Sequence, residues 1–428
     1  MGDHHNIYGH LRKRLDANPV GAPDTPLFQK VLSTLFSEEE AWLACKMPNS
    51  LSNLPKLSRI TRWPENKLEK VLEKMADRGL VVDLDRNGEK YYILMPTIPG
   101  FFEMLLMKKR DDVPQEELAR YLREDQKSIY PKIFGGDTQF GRILHYEEAL
   151  SKDDYQEVCS YEKVSDIIRE AKMISVSLCY CRHERKILEE QCPHPLEVCN
   201  GLGMGADFIV RHNFGRRIEK EEALDMIAQT QEAGLVHMVD NVQRRPTFLC
   251  HCCSCACGIV KSFQEISEFH TVMTSNFLAQ VDPETCAGCG RCARACPIGA
   301  ITLRKIWEPK SDLRAEVDES ICLGCGVCVR SCRKDSLHLH PRKERVLTPE
   351  STFYRMALMA LERGKFQELI FNNPDKVTHR VGKILVKSFL QLPPVKRVLL
   401  QKEVNSKLLN FLHEMARRSK DGWVLDYM

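Results

Sequence analysis

Eight cysteines between residues 286 and 332 use one spacing twice. "CAGCGRCARACP" gives Cys286, Cys289, Cys292 and Cys296, followed by Pro297, a C-x2-C-x2-C-x3-C-P run. "CLGCGVCVRSC" repeats it with Cys322, Cys325, Cys328 and Cys332, followed by Arg333. This spacing leaves the chain little freedom. Three thiolates on one tight loop can cap three corners of an iron–sulfur cubane, and a more distant cysteine closes the fourth. Gly288, Gly290, Gly324 and Gly326 let the backbone wrap closely and aim its N–H groups at the sulfides. A zinc ribbon separates its ligand pairs by a longer spacer, so it fits the pattern poorly.

The two runs are the motifs of bacterial two-cluster ferredoxins, and residues 277–342 resemble that module. The resemblance implies a ferredoxin-like domain holding two [4Fe–4S] clusters with crossed ligation. Cys286, Cys289, Cys292 and Cys332 would hold cluster one; Cys322, Cys325, Cys328 and Cys296 would hold cluster two. Two adjacent clusters imply one-electron relay. Arg333 stands where the family often has proline, which bears on loop geometry but removes no ligand.

The chain has 428 residues and 19 cysteines, far too long for a disulfide-stapled miniprotein. Its N-terminal stretch has no signal-peptide core, and no run approaches the roughly 20 apolar residues of a spanning helix. The expected compartment is the cytoplasm, where clustered cysteines read as metal ligands or redox thiols. A hydrophobic content of 43% and a charged content of 28% are those of an ordinary folded chain, and a net charge of +3 does not select a nucleic-acid partner. Cys45 and Cys159 stand apart and read as buried small hydrophobes.

Nine cysteines lie upstream of the module. "CYCRHERKILEEQCPHPLEVC" carries Cys179, Cys181, Cys192 and Cys199, and "LCHCCSCACG" carries Cys250, Cys252, Cys253, Cys255 and Cys257. If the strip is extended, Cys250 and Cys252 point one way and Cys253, Cys255 and Cys257 the other. That favours two centres sharing the strip, with the first group supplying further ligands. One or two additional [4Fe–4S] clusters, or zinc, satisfy the count; a single structural zinc and a reactive dithiol are the alternatives. His183 and His194 read as surface or supporting residues.

The order of elements predicts an α+β, multidomain chain. Residues 1–27 are polar and proline-bearing and read as a mobile arm. Over 28–112, three helices and a hairpin follow. Ser37 and Glu40 form a capping-box signature. "LPKLSRIT" makes a short helix, and Pro64 opens the next, with Leu68, Val71, Leu72 and Met75 on one face and Gly79 at its stop. A turn at Asn87-Gly88 joins two strands. This order resembles a winged-helix domain. Its third helix alternates Glu65, Glu69, Glu73 and Asp77 with Lys67, Lys70, Lys74 and Arg78, the pattern of a solvated face rather than a phosphate-binding one. Residues 113–165 read as a helical connector, 166–276 as a cysteine-rich domain, and 343–428 as a helical basic tail interrupted at Pro393-Pro394. The tail would cover a core, dock a partner or lie on a membrane surface. "GLGMGA" at 201–206 lacks dinucleotide-fingerprint spacing and reads as a loop.

From about residue 28 onward the chain resembles the multi-cysteine "4Fe–4S dicluster domain" proteins of anaerobic prokaryotes. These share a winged-helix-like start, a "CYCR…C…C" segment, a cysteine strip and the ferredoxin module. In this chain Ala256 replaces one cysteine of the strip. The resemblance implies an electron-transfer protein serving a redox partner such as a flavoprotein or metalloenzyme. Two other functions remain open: a redox-sensing regulator using the winged helix on DNA, and a reductase with its centre among the upstream cysteines.

Overall fold

The computed structural model describes residues 6–134, 136–150, 158–265, 271–306, 312–371, 377–390, 402–418 and 422–427. They form two compact units: residues up to 138 with 211–214 and the chain from 351 onward, and residues 139–210 with 215–350.

The first unit begins with helix α1 (Ile7–Asp16), whose Asn6 cap accepts from the Gly9 N–H. Leu11 and Leu15, four residues apart on one face, are fully buried. The described part of the expected mobile arm is therefore an ordered helix; its polar composition masked a two-leucine stripe. Residues 1–5 of that arm lie outside the described residues. Helix α2 (Pro26–Leu35) starts on a Thr25 cap with proline in its first turn. Helix α3 (Glu38–Lys46) carries the reciprocal Ser37–Glu40 capping box, a feature worth about 1 kcal/mol. Helix α4 (Leu54–Thr61) and helix α5 (Glu65–Asp77) follow, α5 burying Leu68, Leu72 and Met75. Strands β1 (Ser52–Asn53), β2 (Val81–Arg86) and β3 (Glu89–Leu94) form an antiparallel sheet in the order β1-β3-β2. Asn87 and Gly88 both take positive φ, 54° and 81°, as a two-residue hairpin turn demands. Helices α6 (Phe102–Leu106) and α7 (Gln115–Phe134) complete this part.

The second unit is built on a six-stranded antiparallel sheet. Its strands are β4 (Gly141–Leu144), β5 (Ile174–Leu178), β6 (Glu197–Leu202), β7 (Arg216–Ile218), β8 (Val236–Asp240) and β9 (Phe248–Cys252), in the order β4-β8-β9-β6-β5-β7. Strand β4 corrects the expected helical connector over 113–165. "GRIL" is fully buried and pairs with β8 from Gly141–Asp240 to Leu144–His237, so the chain from 139 belongs to the sheet. Helices α8 (Val164–Glu170), α9 (Tyr180–Ile187), α10 (Met204–Arg211), α11 (Lys220–Glu232) and α12 (Gly258–Glu265) connect the strands. "GLGMGA" is not a loop: β6 runs into α10 through Gly203. A Cβ on Gly201 would lie below 3.0 Å from Ser175 and Ile209, and one on Gly205 below 3.0 Å from the Thr247 carbonyl. Close packing, not phosphate binding, accounts for these glycines.

Residues 277–341 add two antiparallel pairs, β10 (Phe277–Val281) with β13 (Leu337–Pro341) and β11 (Ile301–Ile306) with β12 (Asp312–Val317). Short helices α13 (Arg291–Ala295) and α14 (Val327–Ser331) follow the two cysteine loops. One apolar core joins Val236, Met238, Cys252 and Cys257 to Phe277, Leu323, Leu337 and Leu339.

The C-terminal segment belongs to the first unit. Its described part holds helices α15 (Thr352–Glu362), α16 (Phe366–Ile370), α17 (Val377–Leu390) and α18 (Lys402–Arg418), while Pro393-Pro394 lies outside the described residues. Ala357, Ala360, Phe366 and Leu409 bury together. Helix α17 leaves Val381, Ile384 and Leu385 exposed. No helix among the described residues is long and apolar enough to cross a membrane.

His212, in the same unit, lies between Asp77 at 2.7 Å and Asp83 at 2.8 Å. Burial alone would lower its pKa, but the two carboxylates outweigh it and hold it above the ordinary 6.5. A raised folded-state value stabilises below 6.5, and the contribution disappears as pH rises through the raised value. For Asp83, burial opposes, yet His212 and Arg211 bring it down to about 2; that contribution survives until strongly acid pH. His212→Gln is therefore expected to cost about 1 kcal/mol in mildly acid solution. The gap from wild type should narrow above neutrality when thermal unfolding is followed against pH. A gap that widens with pH would reject the assignment.

Candidate metal centres

The two cysteine loops wrap two separate cavities. One, of about 200 Å3, is lined by Cys286, Cys289, Cys292 and Cys332, with Val281, Leu303 and Leu337 among its apolar walls. The second and smaller is lined by Cys296, Cys322, Cys325 and Cys328, with Ile298, Leu323 and Leu339. Each cavity is lined by three cysteines of one run and one of the other. Each loop turns through glycines at positive φ, among them Gly288 at 61° and Gly324 at 67°. Such turns bring backbone N–H groups toward the space the thiols enclose. Four thiols around an apolar cavity are the donor set an iron–sulfur cubane requires.

The cavities differ in exposure. Cys289 is exposed, and Cys286 and Cys332 are half-buried; Cys322, Cys325 and Cys328 are all buried. Burial pushes the Cys325 thiol up to about 12 and raises Cys328 as well. The free thiols stay protonated, and cluster assembly has to displace those protons. The second loop is tied down from outside: Arg342 donates to the Cys322 and Ser275 carbonyls, and the Ser275 hydroxyl donates to the Gly324 carbonyl at 2.7 Å.

The nine upstream cysteines all lie in the second unit, gathered by the sheet. Asn200 pairs with Leu249, and this register sets Cys199 beside Cys250, whose thiols are in hydrogen-bond contact. Strand β5 ends one residue before Cys179, the N-cap of α9, and Cys181 lies in its first turn. The Cys181 thiol contacts those of Cys179 and Cys257, and Cys257 contacts Cys252. Cys192, Cys253 and Cys255 form a separate group, with Sγ–Sγ distances of 3.8, 3.1 and 3.2 Å. The extended reading of the strip is corrected here. The strand stops at Cys252 and the chain turns through residues 254–256, so Cys257 returns to the Cys252 side while Cys253 and Cys255 face Cys192.

Sequence reasoning left two supports unassigned. Arg182, buried in α9, donates to the His251 carbonyl at 2.6 Å and the Pro195 carbonyl at 2.8 Å. It thus ties the segment around Cys192 to the cysteine strip. His251 alternates with Cys250 and Cys252 and so points to the opposite face of β9. It meets Asn200 at 2.9 Å and Thr230 at 3.2 Å, and Thr230 also meets His237 at 3.2 Å. Burial lowers His237 to about 3 and lowers His251 too, so the string is neutral and braces the strand. His183 is buried and His194 half-buried; neither is in the Cys192–Cys253–Cys255 group. Cys45 and Cys159 are half-buried rather than buried, and burial lifts the Cys45 thiol to about 11.

No curated protein matches the chain at a significant level. Residues 285–336 match the family model described as the 4Fe-4S dicluster domain, so the chain carries an iron–sulfur domain of the 4Fe-4S-binding kind, with the electron-transfer role that such a domain supports.

Proposed function

We propose that the protein relays single electrons between a partner oxidoreductase and centres in its own interior. The residues for two [4Fe–4S] clusters are Cys286, Cys289, Cys292 and Cys332 in one site and Cys296, Cys322, Cys325 and Cys328 in the other. The observation that carries the reading is their unequal burial. Cys289 is exposed while Cys322, Cys325 and Cys328 are buried, so the first site serves as the port and the second as the inward step. The shared apolar core continues to Cys181, Cys252 and Cys257, which supports a sink among the upstream thiols.

Arg291, Arg333 and Lys334 line the first cavity, and Arg333 and Lys334 are exposed. A flavoprotein or metalloenzyme with an acidic rim is the partner this port suits, and its electron-transfer rate should fall as salt rises. The test is anaerobic isolation with iron and sulfide analysis and EPR of the reduced protein. About 8 iron per chain follows from the module alone; fewer than about 4 would overturn the reading.

Helices α3, α4 and α5 followed by the β2–β3 hairpin support a winged-helix-like docking module. Lys67 pairs with Glu39 at 2.5 Å, and Lys90 pairs with Glu69 and Glu73, which leaves those cations less able to bind phosphate. Salt-sensitive, sequence-specific DNA binding would favour the regulator instead.

A further inference from the structure

The sites of the 285–336 module and the Cys192 group are built to different dimensions. Around the two cavities the thiols stand apart and face an enclosed space. Cys192, Cys253 and Cys255 instead converge. Among the described residues, they form the one group of three such side chains whose ligand atoms lie mutually within 4.8 Å. Zn–S bonds of about 2.3 Å put tetrahedral ligand sulfurs about 3.8 Å apart. The Cys192–Cys253 edge has that length, 3.8 Å, and the other two edges, 3.1 and 3.2 Å, lie within 0.7 Å of it. A cubane does not fit among sulfurs this close, because its own irons and sulfides have to lie between them.

We infer that Cys192, Cys253 and Cys255 bind one soft divalent cation of the zinc class, with its fourth position open to water or an exogenous small ligand. Each thiol gives its proton to solvent and its sulfur lone pair to the ion, so the bound complex carries one surplus negative charge. Arg182, buried in α9 and donating to the Pro195 and His251 carbonyls close in sequence to Cys192 and Cys253, supplies the compensating positive charge. No fourth His, Cys, Asp or Glu ligand atom joins the three within 4.8 Å among the described residues. Cys253 is buried while Cys192 and Cys255 are half-buried, so the ion has protein on one side and access on the other. Three protein ligands and an open position distinguish reactive or exchangeable zinc from a closed structural site. This inference does not depend on the electron relay.

The full chain, isolated anaerobically, provides the test through metal analysis and zinc-edge X-ray absorption. The expected result is one zinc per chain with three sulfurs at about 2.3 Å and one lighter atom. Cys192→Ser and Cys255→Ser should each lower retained zinc about tenfold on dialysis. Iron content and the EPR of the reduced module should stay unchanged. Undiminished zinc in both variants, or loss of about four iron from either, overturns the assignment. If a variant does not fold, the wild-type spectrum decides alone: absent zinc, or a four-sulfur zinc shell, rejects it. The iron count reads the relay separately, so either idea can fail without the other.

Discussion

Cys296→Ala is expected to abolish the cluster whose other three ligands belong to the second cysteine run, although Cys296 lies in the first. Cys332→Ala should do the reverse. Cys296 lines the cavity with Cys322, Cys325 and Cys328, while Cys332 lines the one with Cys286, Cys289 and Cys292. Each variant should lose about four iron. EPR should then sort the variants by cavity rather than by sequence run: Cys296→Ala losing the same signal as Cys325→Ala, and Cys332→Ala the same signal as Cys286→Ala. Electron transfer to an external acceptor should fall about tenfold or more in all four, because a relay missing either step is broken. Pairing of Cys296→Ala with Cys286→Ala would reject crossed ligation while leaving two clusters intact as an idea.

Why these eight cysteines were legible and the other nine only partly so is a matter of sequence separation. Three ligands of each module site come from one short loop, so spacing alone constrains their geometry. The upstream grouping depends on sheet register instead. Cys192 meets Cys253 across 61 residues, and nothing local to either announces the other. Alternation along the strip held as far as Cys255 and placed His251 on the opposite face. It failed at Cys257, which the turn after the strand returns to the Cys252 side, while Cys253 and Cys255 face Cys192 as alternation predicts. Arg182 was visible in the string "CYCR", but its role needed the Pro195 and His251 carbonyls that the fold brings to it.

The same logic applies to the fold. Ser37–Glu40 and Asn87–Gly88 are local chemistry, and the structure carries the corresponding cap and turn. Strand β4 is four residues long, and its burial comes from pairing with β8 nearly a hundred residues later, from Gly141–Asp240 onward. A helical reading of its surroundings could not anticipate that partner. Helix α1 likewise owes its order to the burial of Leu11 and Leu15, contacts that local polarity conceals.

Gly324→Ala is expected to cost the protein its second cluster, while Gly299→Ala keeps both. Both glycines have positive φ, 67° and 74°. A Cβ in that region costs about 1–2 kcal/mol. Nothing lies within 4 Å of a Cβ on Gly299, so backbone strain is its whole expense. At Gly324 the added carbon would lie below 3.0 Å from the Phe277 carbonyl oxygen and the Ser275 hydroxyl. Ser275 cannot simply swing aside: its hydroxyl donates to the Gly324 carbonyl at 2.7 Å and accepts from the Phe277 N–H at 3.2 Å. Phe277 is held in turn by the β10–β13 ladder, opposite Pro341. The loop from Cys322 to Cys325 therefore has to move, and it carries two ligands of the buried site. Iron and sulfide analysis should show about four iron lost in Gly324→Ala and none in Gly299→Ala. Thermal unfolding should place Gly299→Ala within about 1–2 kcal/mol of wild type. Full iron content in Gly324→Ala would mean that the strand beside the loop yields more readily than its ladder implies.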